Sequence, residues 1–107
     1  MTIQINSDKN LNVHEVFGNK LNDLLSDKLS RFSEHITRLE VHLSDDNGSK
    51  EGLRDKRCMI EARLEGRQPV AVTDLANTYE QSVHGAIDKL KTVLDTIIGR
   101  LRDHHQN

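Results

Sequence analysis

The feature that most constrains this chain is a helical pattern running without interruption from Asn77 to about Arg102. Its apolar residues fall at Tyr79, Val83, Ala86, Ile87, Leu90, Val93, Leu94, Ile97, Ile98 and Leu101, the three-and-four spacing of a single helical stripe. A stripe of that length has to be buried against another element. Asn77 followed three residues later by Glu80 reads as a capping box that starts the helix. At about 100° per residue, Ser82, Gly85, Lys89, Thr96 and Arg100 line one flank of the stripe, with no carboxylate among them before Asp103. That flank is basic. The other flank, with His84, Asp88, Lys91, Asp95 and Arg102, reads as a solvated face of mixed charge.

What the helix packs on can be read from the rest of the chain. Thr2 to Ser7 alternates apolar and polar side chains, as a short half-buried strand does. Asn12 and Glu15 repeat the capping-box spacing ahead of Phe17, Leu21, Leu24, Leu25, Leu29 and Phe32, which predicts a first helix over residues 13–33. Lys28 falls inside that apolar stripe by phase, so either its stem packs while the ammonium reaches water, or it faces a groove open to a phosphate. From Ile36 the period changes to two, with Leu39, Val41 and Leu43 on one side and Arg38, Glu40 and His42 on the other. Residues 44–52 are polar and aperiodic, a connection expected to be mobile. Arg57 to Glu65 alternates again, placing Cys58, Ile60, Ala62 and Leu64 inward and making Cys58 a core residue. Gly66-Arg67-Gln68 is a turn, and Pro69 to Thr73 is a last strand whose proline suits a strand start or an edge.

The order β-α-β-β-β-α predicts an α+β domain. Three successive antiparallel strands and the first strand form one four-stranded sheet, and both helices pack on its apolar face. The layout is like that of double-stranded-RNA-binding domains, although those normally begin with a helix. The open face carries Arg38, Glu40, His42, Arg57, Glu61 and Arg63, opposite charges expected to pair across strands.

Composition excludes several function classes. A chain of 107 residues makes one domain, expected to span 1–107, and buries roughly 65% of its unfolded surface without a disulfide or metal. Three aromatic side chains, Phe17, Phe32 and Tyr79, are too few for a base-stacking platform. A net charge of −2 excludes coating nucleic acid through a global field but leaves room for a local patch. One cysteine cannot form an internal disulfide, and no apolar run serves as a signal peptide or membrane span, so a cytoplasmic protein is expected. No phosphate loop, activated nucleophile or metal-spaced Cys and His group is present, so neither an enzyme nor a cofactor is expected, and His104 and His105 read as a solvated tail.

With this topology in place, the chain resembles the ribosome hibernation-promoting factor family, which includes the ribosome-associated translation inhibitors and was once called sigma-factor modulation protein. The run Ser82-Val83-His84-Gly85-Ala86-Ile87-Asp88-Lys89-Leu90 is similar to the family's Ala-Ile-Asp, two spacers, Val-Asp-Lys-Leu. Asp27-Lys28-Leu29 is similar to its acidic-basic-Leu step, and Arg31 stands where a second basic residue is usual. Thr92 replaces a frequent Arg, Ser82 and His84 replace Ala and Asp, and the C-terminal basic run is thinned to Arg100 and Arg102. Those departures bear on affinity more than on fold.

The resemblance implies a protein that binds the decoding region of the small ribosomal subunit, contacts rRNA and excludes messenger and transfer RNA. Lys28, Arg31 and Lys89 carry over as rRNA contacts, joined by Arg100 on the basic flank. Together they are expected on the rim of a groove between the two helices. No DNA or membrane partner is implied, and the protein is expected to be a monomer off the ribosome. Because the chain ends at Asn107, directly after the second helix, no second dimerising domain is expected. A different class of function is a small regulator that uses the open sheet face to dimerise or hold a protein partner.

Overall fold

The computed structural model describes residues 1–7, 18–45 and 56–105, with the side chains of residues 1–7, 20–45 and 56–99. The alternating runs become four strands: β1 (Thr2–Ser7), β2 (Ile36–Asp45), β3 (Lys56–Leu64) and β4 (Val70–Ala76). They form one sheet in the order β1-β2-β3-β4, antiparallel except that β1 runs parallel to β2. A parallel neighbour cannot be reached by a tight turn, so the chain crosses over through α1 (Gly18–Lys28) between β1 and β2. The last element is α2 (Tyr79–His105).

Register decides which side chains share a face. Ile3 stands opposite Leu39, which faces Ala62; Ile5 stands opposite Val41, which faces Ile60 and through it Val72. Leu43 faces Cys58. All of these point to the helices. Leu21, Leu25 and Leu29 meet them from the first helical segment, and Val83, Ala86, Ile87, Leu90, Leu94 and Ile98 from α2, in one buried cluster. Burying each large aliphatic side chain contributes about 1.5–3 kcal/mol, so the two stripes account for the docking of both helices. Ser82 is buried among them, and its hydroxyl donates to the Tyr79 carbonyl at 2.8 Å, which removes the penalty of an unpaired polar group.

Several boundaries differ from the sequence expectation. The first helix ends at Lys28, not Ser33, and the chain tightens into a 3-10 turn over Ser30–Phe32, with the Phe32 N–H donating to the Leu29 carbonyl at 3.0 Å. Three residues per turn stacks Phe32 over Leu29, and both are buried. The cap of α2 lies one residue later than expected. Thr78 Oγ1 accepts from the Gln81 N–H at 3.1 Å and the Thr78 carbonyl accepts from the Ser82 N–H at 3.0 Å, so Thr78 and Gln81, not Asn77 and Glu80, occupy the capping positions. The helix also continues to His105 instead of ending at Arg102. Strand β4 extends three residues past Thr73, which sets the position of Asp74. The expected capping box at Asn12 and Glu15 and most of the 44–52 connection lie outside the described residues. Among the described residues, no helix is long and apolar enough to cross a membrane.

Candidate nucleic-acid interface

The four expected contact residues occupy different parts of the surface. Lys28 is the last residue of α1 and is exposed. The helix ends under it, which frees its ammonium from the stripe and sets it where terminal carbonyls favour a cation. Arg31 lies in the 3-10 turn, 2.9 Å from Asp95 Oδ2 on α2, with its guanidinium 4.4 Å above the Phe32 ring. Both partners of this pair are more than half exposed, so it contributes about 0–1 kcal/mol. Lys89 projects from α2 onto β4, where its ammonium donates to the Thr73 carbonyl at 2.8 Å and lies 3.0 Å from Asp74 Oδ1. The backbone of Arg100 is helical, and its side chain lies outside the described residues.

Arg31 and Lys89 do not share a groove rim. Asp95, which holds Arg31, is six residues beyond Lys89, a rotation of about 120° around the helix. One points to the first helical segment and the other to β4. The groove between α1 and α2 is lined by Lys20, Asp23, Leu24 and Asp27 from one side and Glu80 and His84 from the other, around a hollow of about 370 Å³. Among the described residues three carboxylates stand there against one lysine, so this stretch of the groove is acidic, and Arg31 and Lys89 do not line it. Helical phase counts only the charges of one element. The carboxylates that change the outcome come from its neighbours.

Asp74 is the partner of Lys89 that sequence reasoning missed. Alternation along β4 places Val70, Val72 and Asp74 on the same side, and Asp74 stands in register with Cys58, beneath α2. Room for a carboxylate there comes from Gly85. A Cβ at that position would lie 2.5 Å from Asp74 Cγ and nearer still to Oδ2. Lys89, one turn further along α2, then supplies the counter-charge. Asp74 retains only 17% side-chain exposure, against 54% for Lys89. Its carboxylate also reaches the core: burial, and after it the charge of Asp74, pushes the Cys58 thiol up to about 12. Continuing the β4 alternation past Thr73, and noting that Gly85 and Lys89 are four apart, would have found this cluster.

The open sheet face pairs opposite charges across strands, as expected, and also along them. Arg38 stands directly opposite Arg63, and Glu40 directly opposite Glu61, so like charges face each other across β2 and β3. Bridging therefore runs diagonally and along strands: Arg63 reaches Glu40 at 3.6 Å and Glu61 at 3.6 Å, and Arg38 reaches Glu40 at 3.5 Å while donating to Gln4 on β1. A hydrogen bond with the Glu61 carboxyl, then the guanidiniums of Arg38 and Arg63, hold Glu40 below the usual carboxylate range despite its partial burial. Arg38 and Arg63 are thus both tied to carboxylates.

Comparison with known proteins places this geometry. The structure is similar to the crystal structure of the N-terminal domain of Thermus thermophilus Protein Y, with a TM-score of 0.71 and 20% identity over 91% of this chain and 99% of that one. It is also similar to a ribosomal subunit interface protein from Coxiella burnetii, with a TM-score of 0.71 and 17% identity over 92% of this chain and 99% of that one. Those identities establish a shared fold. No curated protein matches the chain significantly by sequence. The profile of the family described as sigma 54 modulation protein / S30EA ribosomal protein matches residues 3–102, which takes in every element of the fold from β1 into α2. The chain therefore belongs to the sigma 54 modulation protein / S30EA ribosomal protein family, a family of ribosome-associated modulation and hibernation proteins.

Proposed function

We propose that this protein binds the decoding region of the small ribosomal subunit as a single domain, contacts rRNA through Lys28, Arg31, Lys89 and Arg100, and so excludes messenger and transfer RNA. The observation that carries the reading is the family match over residues 3–102, which includes both helices on which these cations stand. The action is steric. It needs space filled and phosphates held, with no bond made or broken, in keeping with a family that is in general not enzymatic. The charge distribution supports a local grip: with a net charge of −2, attraction to rRNA has to come from particular cations, and Lys28, Arg31 and Lys89 are each exposed. Arg31 and Lys89 lie on different sides of α2, so the contact surface crosses the helix and does not sit in the acidic groove beside α1.

Co-sedimentation with purified small subunits across a salt series tests the reading. Each neutralised phosphate contributes about 0.9 to the logarithmic salt slope on a duplex and about 0.7 on a single strand, so affinity should fall measurably as salt rises. Messenger RNA added first should compete. Absence of binding, or binding indifferent to salt and to messenger RNA, would overturn it.

A further inference from the structure

We propose that Asp74 is a positioning residue for ribosome binding: it holds Lys89 at the edge of β4 in a charge-compensated pair and thereby sets how strongly this cation responds to salt. The inference rests on the ribosome-binding reading and deepens it. An ammonium has three N–H donors. In Lys89 one is spent on the Thr73 carbonyl at 2.8 Å, and the Asp74 carboxylate stands 3.0 Å from the same nitrogen as its counter-charge, on a side chain that is 54% exposed. The Thr73 hydrogen bond anchors the ammonium, and the carboxylate beside it compensates its charge. Asp74 is itself fixed, since β4 register turns it toward α2, Gly85 makes the space it fills, and only 17% of its side chain reaches solvent.

Compensation has a consequence distinct from structure. A phosphate approaching Lys89 meets an ammonium beside a carboxylate, a pair with no net charge, so this contact neutralises little phosphate charge and releases few counterions. Lys89 then contributes a directed hydrogen bond and little salt dependence. Lys28 differs, because among the described residues no carboxylate lies within ion-pair distance of it, so it should carry a full share of the slope.

The test is a set of salt titrations of small-subunit binding with wild type, Asp74→Asn, Lys89→Met and the double variant. Asparagine keeps the acceptor oxygen and the shape of aspartate while removing its charge. Asp74→Asn should bind more tightly at low salt and steepen the logarithmic slope by about 0.7–0.9, so that its advantage over wild type shrinks about threefold between 50 and 200 mM salt. Lys89→Met in the Asp74→Asn background should flatten the slope by about the same 0.7–0.9 and so return it to that of wild type, because both leave no net charge at the pair. A slope for Asp74→Asn equal to or below that of wild type, in a protein that melts normally, would overturn the inference. A double variant with a slope about 0.7–0.9 below that of wild type would do so even if the single aspartate variant failed to fold. In both cases continued salt-sensitive binding of the wild type would leave the ribosome reading standing. Failure of the wild type to bind small subunits at all would remove both.

Discussion

Replacing Gly85 by alanine sets two effects of opposite sign against each other, and the geometry around Asp74 decides between them. Within a helix, glycine to alanine is favourable by about 1 kcal/mol, because alanine loses less backbone freedom on folding. At this position, however, the new methyl group would lie 2.5 Å from Asp74 Cγ and 3.1 Å from Oδ1, inside normal contact distance. Asp74 would have to rotate, leaving Lys89 and pressing on neighbours that already fill the space. Overpacking of this kind costs about 1–3 kcal/mol. The half-exposed ion pair adds about 0–1 kcal/mol when broken. The expected result is net destabilisation of about 1–2 kcal/mol, read by urea denaturation or as a fall of several degrees in the melting midpoint. Trimming Asp74 to alanine removes the three atoms that clash, since the nearest contacts of the added carbon are all carboxyl atoms. In that background Gly85→Ala should be stabilising by up to about 1 kcal/mol. The sign should therefore reverse, with a coupling of about 2 kcal/mol between the two sites. Equal effects of Gly85→Ala in both backgrounds, or stabilisation of the wild type, would refute the reasoning that Gly85 is there to accommodate Asp74.

Three further outcomes follow from the geometry. Thr78→Ala removes the acceptor that holds the Gln81 N–H and should lower stability by about 1 kcal/mol in urea denaturation; a shift under 0.2 kcal/mol would show that another group caps α2. The Cys58 thiol, pushed up to about 12, should stay unreactive toward a thiol reagent at pH 8 until urea unfolds the chain. Because its folded value is raised, the stability it contributes is present below the ordinary thiol range near 9 and is lost as pH climbs toward 12, and a Cys58→Ala variant should lack that part of the alkaline decline. On the ribosome, Lys89→Glu should weaken binding severely, since it leaves two carboxylates where one ammonium stood, whereas Arg63→Glu should have a small effect because Glu40 and Glu61 already hold that guanidinium; comparable losses from the two, in folded variants, would reverse the ranking.

The periodicities of this chain determined its elements and their faces. Alternation in β2 and β3 placed Leu39, Val41, Leu43, Cys58, Ile60 and Ala62 in the core, and the stripe from Val83 to Ile98 buried α2, because side-chain direction repeats with backbone geometry whatever the surroundings. Element order and the motif around Ala86-Ile87-Asp88-Lys89-Leu90 were enough to point to the family. Boundaries were less legible. Thr78 wins the cap over Asn77 and the first helix tightens at Leu29 because hydrogen bonds and packing of single residues settle ends, where several continuations differ by about 1 kcal/mol. The electrostatics of the candidate site was not legible at all. Lys89 and Arg31 read as uncompensated cations along their own segments, yet Asp74 on β4 and Asp95 on α2 stand against them, and Asp23, Asp27 and Glu80 line the groove that phase alone had made basic. Charge acts through space over distances of several ångströms, so a carboxylate on a neighbouring strand counts as much as one on the same helix, and only tertiary structure decides which strand is the neighbour.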